Sequence, residues 1–402
     1  MVRTVVTGIG VVAPNGVGTD AYWKAVLAGS NGIGPLTRFD ATGFPVCLAG
    51  EVDGFVPGDH LPGRMLVQTD PMTQYALAAA DWALAESGTA PGSPLTGGVI
   101  TASASGGFHF GQRELQHLWA KGPGHVSAYM SFAWFYAVNT GQIAIRHDLR
   151  GPVGVVVAEQ AGGLDALAHA RRKVAGGAEV VVTGAVDSAL CPYGMAAQVA
   201  SGRLSTSADP TAAYLPFDRR AGGHVPGEGG AILVVEEAGR AAARGAAVYG
   251  EIAGHGACFD PPPGSGRRST LARAITTALA DAGLEADAID VVLADAAAIP
   301  ELDAAEAEAL AEVFGPRGVP VTAPKTLTGR LYSGAGPLDV VTALLALREG
   351  VAPPTAHVTD VDDDLPVDLV RERPRPVGGG AALVVARGYG GFNSALVVRR
   401  TR

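Results

Sequence analysis

The sequence has few of the residues that build disulfide frameworks, zinc sites or membrane spans. Its three cysteines, Cys47, Cys191 and Cys258, are far apart and odd in number, and none stands in a CxxC pair. This pattern predicts no disulfide framework and no metal, and we expect no cofactor. No apolar run approaches the roughly 20 residues that cross a bilayer, and the opening MVRTVVTGIGVVAP does not fit a signal peptide. We therefore expect a cytoplasmic protein that does not act on membranes.

An excess of basic residues is also missing. The 402 residues include 30 Lys and Arg against 39 Asp and Glu, which gives a formal net charge of -9. Such a balance provides no electrostatic footprint for nucleic acid. The apolar share of 48% and the length are sufficient for a substantial core. The composition is typical of a globular protein that handles small molecules or other proteins.

Short valine-rich runs alternate along the chain with alanine-rich stretches. The runs predict buried strands at 3–8, 153–158, 179–184, 230–236, 289–294 and 381–387. The stretches predict helices at 74–87, 164–176, 268–283 and 303–313. The alternation predicts a layered α/β architecture. A basic, alanine-rich stretch closes one series near residue 244 and a new strand opens at Tyr249, which predicts two similar halves, 1–244 and 245–402.

A strand, a tight turn and a helix start follow one another in residues 157–173, which include AEQAGGLDAL. This geometry places the side chain at the turn, Gln160, over the positive end of a helix dipole. The segment resembles ketosynthases of the thiolase superfamily, in which this position holds a nucleophilic cysteine. An amide cannot form a thioester, so the resemblance implies that the covalent step of condensation is lost. Taken by itself, Gln160 also fits an ordinary turn of an unrelated α/β protein.

Two further segments resemble the parts of ketosynthases that carry the active-site histidines. PKTLTGRLYSGAGPLDVVTALLAL (324–347) retains the family's lysine as Lys325 but has Arg330 at one histidine position, and VVLADAAAIPELDAAEA (291–307) has Asp295 at the other. Condensation needs neutral imidazoles that stabilise the developing enolate, whereas an aspartate repels it. We predict that Arg330 pairs with Asp295 or Glu301, that Lys325 is a structural ion-pair member and that no catalytic residue remains.

The resemblance extends over essentially the whole chain. GYGGFNSALVVRR (388–400) resembles the glycine-rich loop beside the nucleophile, with Phe392 expected to face the site. AYLPFDRRAGGHVPGEGGAILVVEE (213–237) resembles the loop and strand that end the first half of these enzymes. The resemblance therefore implies a thiolase-like α/β fold of two similar βαβαβαββ halves, packed in the layer order α-β-α-β-α.

Ketosynthase relatives with glutamine for cysteine are either decarboxylating loading domains, which keep both histidines, or chain length factors. The phrases AEQAGGLDAL, SFAWFYAVNTGQIAIRHDLRGP (131–152) and IPELDAAEA (299–307) resemble the chain length factors of actinobacterial type II polyketide synthases. The resemblance implies a heterodimer with a ketosynthase α subunit, which performs the decarboxylative condensation. The second implied partner is the acyl carrier protein that bears malonyl groups and the growing polyketide. On this interpretation the chain is inactive alone and is part of an acyltransferase complex.

An aromatic segment at 126–145 is expected to form part of the interface with the α subunit. Interfaces favour dense aromatic content, and at least one of these side chains should cross to the partner. Burial within the monomer remains the alternative for each single residue. The aromatic residues of this segment are Phe132, Trp134, Phe135 and Tyr136.

The resemblance also implies that side chains of GGFHFGQRELQHLW (106–119) line a tunnel at the interface and set the product length. Phe108, Gly111 and Leu115 are three and four residues apart and so share one helical face. Spacing alone equally fits the core face of an amphipathic helix. Factors for sixteen-carbon products resemble Phe-x-x-Thr-x-x-x-Phe, so glycine and leucine here widen the tunnel. We predict a product longer than an octaketide, a decaketide or more, with Tyr193 also bordering the chamber.

Three other functions are compatible with parts of the sequence. The first is a malonyl-acyl carrier protein decarboxylase that primes the synthase, although both histidines are missing. The second is an acyltransferase that uses Cys191 or Cys258, the latter close to His255. Buried, inert thiols are the more common finding at such positions. The third is a homodimer that binds acyl chains without a ketosynthase partner.

Overall fold

The computed structural model describes residues 2–262 and 264–401, within which there are sixteen strands and thirteen α-helices. The strands are β1 (Thr4–Ala13), β2 (Gly16–Val17), β3 (Ile33–Pro35), β4 (Leu48–Gly50), β5 (Gly97–Ala102), β6 (Val153–Val156), β7 (Val180–Asp187), β8 (Gly229–Glu237), β9 (Gly250–Phe259), β10 (Ile289–Leu293), β11 (Pro320–Thr322), β12 (Val351–Ala352), β13 (Asp368–Leu369), β14 (Arg375–Pro376), β15 (Ala381–Gly388) and β16 (Phe392–Arg399). The helices are α1 (Thr19–Ala28), α2 (Pro57–His60), α3 (Gly63–Leu66), α4 (Pro71–Ser87), α5 (Phe108–Lys121), α6 (Met130–Ala133), α7 (Val138–Arg146), α8 (Gly162–Ala175), α9 (Pro192–Val199), α10 (Ala238–Ala243), α11 (Leu271–Ala282), α12 (Pro300–Phe314) and α13 (Ala335–Glu349).

Twelve of the described strands form one mixed sheet. Their order is β13-β11-β10-β15-β16-β9-β1-β8-β7-β5-β6, and β2 pairs with β1. In the middle, β1 and β9 are joined through two registered positions, Val5 with Glu251 and Val6 with Gly250. This short ladder is the seam between a half-sheet from the first part of the chain and a half-sheet from the second.

Helices cover both faces of each half-sheet. Leu164 of α8 and Leu344 of α13 belong to a central apolar cluster that includes residues of both half-sheets. A second cluster packs α4 and α7 on the first half-sheet, and a third packs α11 and α12 on the second. The resulting layer order is α-β-α-β-α, as predicted. The central position explains why α13 is apolar on nearly all sides, with residues 335–347 buried throughout.

Glycines in β1 allow an outer helix to approach closely. A Cβ atom at Gly8 would lie 2.0 Å from the carbonyl oxygen of Ala83, and one at Gly10 would lie 2.0 Å from that of Ala79. Both carbonyls belong to α4, so the helix rests directly on the strand backbone. This contact fixes α4, whose N-cap residue, Asp70, accepts a hydrogen bond from the N–H of Phe110 at the start of α5.

The six predicted strands and four predicted helices are all present, with ends that differ by a few residues. The largest difference is β1, which continues to Ala13 because all ten of its residues are buried between neighbouring strands and helices. The division at residues 244 and 245 stays a prediction. Among the described residues, no helix combines the length and the apolar character that crossing a bilayer requires.

Candidate functional site

The candidate site is built on the turn between β6 and α8. Glu159 adopts a positive φ of 48°, and a single 3-10 turn, Glu159–Ala161, leads into α8 at Gly162. Gly163 is required at the helix start, because a Cβ atom there would lie 2.2 Å from the carbonyl oxygen of Ser333. The turn therefore packs directly against the segment that precedes α13. Its central residue, Gln160, is fully buried.

The Gln160 amide faces a carboxylate instead of a reactive partner. Its Nε2 donates a hydrogen bond of 3.1 Å to Oδ1 of Asp295, while its Oε1 makes no hydrogen bond to any described residue. The helix start that would stabilise a thiolate is present, but the side chain carries no ionisable group. The arrangement can hold a neighbouring charge, and it cannot form a covalent acyl intermediate.

Asp295 and Arg330 form a buried ion pair next to Gln160. Nη2 of Arg330 lies 3.2 Å from Oδ1 and 3.3 Å from Oδ2 of Asp295, and the same Nη2 donates to the carbonyl oxygen of Arg387 at 2.7 Å. The backbone N–H of Arg387 donates to Oδ1 of Asp295 at 2.8 Å. Burial acts to raise the pKa of Asp295, but the charges of Arg330 and Lys325 outweigh it and hold the pKa below its usual range.

Lys325 has a carboxylate partner of its own. Its Nζ lies 2.8 Å from Oδ2 of Asp339 on α13 and also donates to the carbonyl oxygen of Ala294. Of the two partners predicted for Arg330, the structure brings together Arg330 and Asp295, while Glu301 is exposed. Lys325 and Arg330 are therefore each matched by a buried carboxylate, so removal of either partner would leave a buried charge without its ion-pair partner.

A cavity of about 390 Å³ opens beside this charged centre. Sequence reasoning identified Phe108 and Arg330 among its lining residues and missed the others, since they come from segments far apart in the chain. One of them, His224, is kept neutral because burial lowers its pKa to about 3. Further lining residues are Glu159, Arg203, Tyr332 and Tyr389.

The expectation for Phe392 was wrong. Its ring packs against Phe259 with a centroid distance of 4.7 Å, and it is Tyr389 that lines the cavity. Gly390 and Gly391, with φ of 92° and 98°, reverse the chain between the two aromatic residues. The Tyr389 N–H donates to Oε2 of Glu159 at 2.8 Å, so the loop is tied to the turn that carries Gln160.

The predicted tunnel row runs along α5 from the cavity towards the surface. Phe108 lines the cavity, and its ring lies 4.9 Å from that of Tyr193, which is 53% exposed. A Cβ atom at Gly111 would have one neighbour within 4 Å, the Cβ of Trp134 at 3.4 Å, so space remains around it. Leu115 is 38% exposed. The outer part of the row is thus an open face of this chain.

Exposed aromatic side chains lie next to that open face. Trp134 is 44% and Phe135 is 49% exposed, whereas Phe132 and Tyr136 are half-buried. Strand β6 ends the sheet on the same half of the molecule and carries the exposed Val153. An unpaired strand edge beside exposed aromatic residues is typical of a protein interface.

The cysteine alternatives gain no support from the geometry. Cys191 is buried, which raises its pKa to about 11 and leaves it as a thiol near neutral pH. His255 does not serve Cys258, because its Nε2 lies 3.0 Å from Oδ1 of Asp165 and 3.1 Å from Oγ of Ser394. Cys191 therefore lacks thiolate character, and His255 is engaged by side chains other than Cys258.

Comparisons with known proteins agree with these observations. The model for the β-ketoacyl synthase N-terminal domain matches residues 1–241, and that for the C-terminal domain matches residues 249–359. The actinorhodin polyketide putative β-ketoacyl synthase 2 of Streptomyces coelicolor is 61% identical over 98% of both chains. The tetracenomycin polyketide synthase ketoacyl synthase β subunit of Streptomyces glaucescens is 59% identical, also over 98% of both chains.

Two solved structures extend the comparison to assemblies. The ishigamide ketosynthase/chain length factor superposes with a TM-score of 0.90 at 28% identity and covers 100% of this chain and 99% of its own. A type II PKS acyl carrier protein in complex with its ketosynthase bound to the hexaketide gives a TM-score of 0.88 at 26% identity over 99% of each chain. These similarities confirm the predicted thiolase-like fold.

Proposed function

This chain belongs to the β-ketoacyl synthase family and, within it, to the ketosynthase β subunits of type II polyketide synthases; from that premise we propose that it is a non-condensing subunit that shapes a polyketide tunnel. In this proposal a ketosynthase α subunit performs the decarboxylative condensation. The acyl carrier protein delivers malonyl groups and carries the growing chain. The β subunit controls how far that chain extends before it is released.

The observation that carries the proposal is the charged centre around Gln160. An amide stands where the family has its nucleophile, and Asp295 and Arg330 stand at the two histidine positions. Asp295 joins the other two, because Gln160 and Arg330 both donate hydrogen bonds to its carboxylate. Condensation requires a thiolate and two neutral hydrogen-bond donors at these positions, so this centre supports structure in place of catalysis.

The open face beside α5 supports a heterodimer. Trp134 and Phe135 are half-exposed apolar anchors of the kind that dominate interface energies, and the exposed edge of β6 lies on the same half of the molecule. Leu115 would be enclosed once a partner covers that face, whereas Gly111 is already buried in this chain. The relatives support this arrangement, since one of the similar structures is a ketosynthase/chain length factor and another contains an acyl carrier protein.

We further propose that the product is longer than an octaketide, a decaketide or more. Gly111 contributes no side chain to the tunnel wall, and the space around its Cβ position is bounded only by Trp134 within 4 Å. Leu115 is smaller than the phenylalanine of sixteen-carbon factors. Phe108 and Tyr193 remain as the aromatic pair at the inner end of the row. The proposed function places the protein in the cytoplasm, together with the carrier protein.

The alternative of a priming decarboxylase is disfavoured by the same contacts. Expulsion of a carboxylate needs hydrogen-bond donors that are free to stabilise an enolate. The Gln160 Nε2 and the Arg330 guanidinium are instead occupied by Asp295, whose negative charge opposes enolate formation.

Reconstitution with a neighbouring ketosynthase tests the proposal. The two chains are co-expressed and purified, malonyl-loaded acyl carrier protein is added, and the carbon count of the product is determined by mass spectrometry. We expect a 1:1 complex that makes a product of more than sixteen carbons, and no polyketide from either chain alone. Turnover by this chain alone, or an α subunit that makes the same product without it, would contradict the proposal.

A further inference from the structure

The start of α5 lacks a cap from its own sequence. Gly107 precedes the helix and contributes no side-chain hydrogen bond. The first backbone N–H groups of a helix have no partner within it and need an acceptor from elsewhere. The segment is also buried, since Gly107 and Phe110 are both inaccessible to solvent. The position of α5, and therefore of the row that begins at Phe108, depends on a group outside the helix.

Asp70 is that group. Its Oδ2 accepts a hydrogen bond of 2.8 Å from the N–H of Phe110, and its Oδ1 accepts one of 3.0 Å from the N–H of Met72. Asp70 is the N-cap of α4, so a single buried carboxylate joins the starts of two helices. A Cβ atom at Gly107 would lie 2.2 Å from the carbonyl oxygen of Ala133 and 3.0 Å from the Cβ of Asp70, so the Ala133 backbone is the main reason for glycine and Asp70 adds to it.

The other side of the joint is firmly held. Helix α4 rests on β1 through the close contacts of Gly8 and Gly10 with its carbonyl groups. The N–H of Gly107 donates to the carbonyl oxygen of Trp134 at 3.1 Å, so the joint also sets the distance between α5 and the aromatic segment. A displacement at Asp70 would therefore move Phe108 and Gly111 together with the backbone next to Trp134.

We propose that Asp70 is a positioning residue for chain length: by joining the start of α5 to α4, it fixes where the row of Phe108, Gly111 and Leu115 lies. This inference rests on the proposed function, because it concerns the fidelity of the tunnel. It adds a determinant that touches no substrate and lies outside the segments that resemble the family's functional motifs.

The charge of Asp70 gives the joint a measurable signature. Burial, assisted by the charge of the nearby Glu228, raises its pKa to about 7 against the lowering effect of the two backbone N–H groups and of Arg113. Its field also raises the pKa values of Cys191 and Tyr75. Protonation below about pH 7 converts one acceptor oxygen of Asp70 into a hydroxyl. This weakens the hydrogen bonds that the carboxylate accepts from the N–H groups of Met72 and Phe110.

Protonation has the opposite effect on global stability. A carboxyl whose folded pKa is raised above its unfolded value favours the folded state increasingly as the pH falls through that folded pKa. For Asp70 alone, acidification from pH 8 to 6 therefore loosens α5 without destabilising the fold. If Asp70 had a merely structural role, the protection of α5 from hydrogen exchange and the free energy of unfolding would change in the same direction.

Asp70→Asn tests the inference, with Asp303→Asn as the matched control. Asp303 is equally buried, has a pKa raised to about 8 by burial and accepts a backbone hydrogen bond from Phe217 at 2.8 Å. In Asp70→Asn the amide N–H₂ would face one of the two N–H donors. We expect hydrogen exchange of the amides at 110–115 in the isolated chain to rise at least ~10-fold. In the complex, we expect the share of the main product to fall at least twofold, with total carbon incorporation within twofold of the wild type.

The outcomes separate the inference from the proposed function. Asp303→Asn should change neither readout. If exchange at 110–115 rises but the product distribution is unchanged, or if exchange is unchanged, the inference is wrong. If the wild-type complex makes no polyketide, the proposed function fails while the exchange data still report on the joint. Should Asp70→Asn not fold, the wild type at pH 6 and 8 provides the test, with exchange at each pH divided by the intrinsic rate at that pH. We expect lower protection factors at 110–115 and broader products at pH 6, and equal protection factors would overturn the inference.

Discussion

Removal of one partner from the Asp295–Arg330 pair should destabilise the chain strongly, although neither residue performs chemistry in the proposed function. Arg330→Met deletes three contacts to the carboxylate of Asp295 and one to the carbonyl of Arg387. Breaking a buried pair in this way costs about 3–5 kcal/mol, because the buried carboxylate loses its ion-pair partner and the largest of its compensating charges. The methionine keeps most of the side-chain volume, so cavity formation contributes little.

The expected change in melting temperature follows from the length of the chain. An unfolding entropy of about 2.1 cal/mol/K per residue gives about 0.84 kcal/mol/K for 402 residues. A loss of about 4 kcal/mol therefore lowers Tm by about 5 °C. Differential scanning calorimetry or a dye-based thermal shift on the purified chain measures this directly.

Two variants make the measurement decisive. Arg219→Met removes an exposed arginine that pairs with Asp360 and Asp363, and should lower Tm by about 1 °C or less, since surface pairs contribute little. The double variant Asp295→Asn with Arg330→Met removes both charges but keeps an acceptor for Gln160, and should recover at least half of the loss. If Arg330→Met lowers Tm no more than Arg219→Met does, the inference that the Asp295–Arg330 pair holds the fold together is refuted.

Three further outcomes are expected. Gly111→Thr combined with Leu115→Phe should shorten the main product by at least one two-carbon unit by mass spectrometry, because both changes add volume to the tunnel wall; an unchanged carbon count would contradict the tunnel assignment. Trp134→Ala with Phe135→Ala should weaken binding to the α subunit at least ~10-fold in Kd by titration calorimetry, since truncated aromatic anchors typically cost more than 1 kcal/mol each, and a change below twofold would mean that the interface lies elsewhere. His224→Asn should make the free energy of unfolding less sensitive to acid. Because burial lowers the pKa of His224 to about 3, its protonation opposes folding as the pH falls below about 6.5, by up to ~1.4 kcal/mol per pH unit. If the free energy of unfolding falls equally steeply with pH in the variant and the wild type, this role is refuted.

Local patterns predicted the strands and helices, because each lies in one contiguous segment, and the same kind of segment carries the prediction of an inactive centre. The strand, turn and helix around Gln160 are short-range features, and the motif positions of Asp295 and Arg330 follow from segments of about twenty residues. Spacing on one helix also placed Phe108 and Leu115 on a common face.

Features that depend on distant contacts could not be predicted in this way. Tyr389, Arg203 and His224 reach one cavity from different parts of the chain, and no periodicity links them. Phe392 was expected at the site from the resemblance of its loop alone, and that resemblance did not show that the positive φ values of Gly390 and Gly391 place Tyr389 at the cavity instead. Asp70 looks like an ordinary helix cap in the sequence, and only the fold brings Phe110 to its second oxygen.

The narrow seam between β1 and β9 has a consequence for dissection of the molecule. Two registered pairs join the half-sheets, yet α8 from the first half and α13 from the second share one apolar cluster between them. Separate expression of residues 1–244 and 245–402 would therefore expose the apolar side chains of this cluster to water in each fragment. We expect each fragment to aggregate when it is expressed alone. Expressed together, the fragments should reassemble by complementation, because the break falls in a surface connection and the shared layer supplies the driving force.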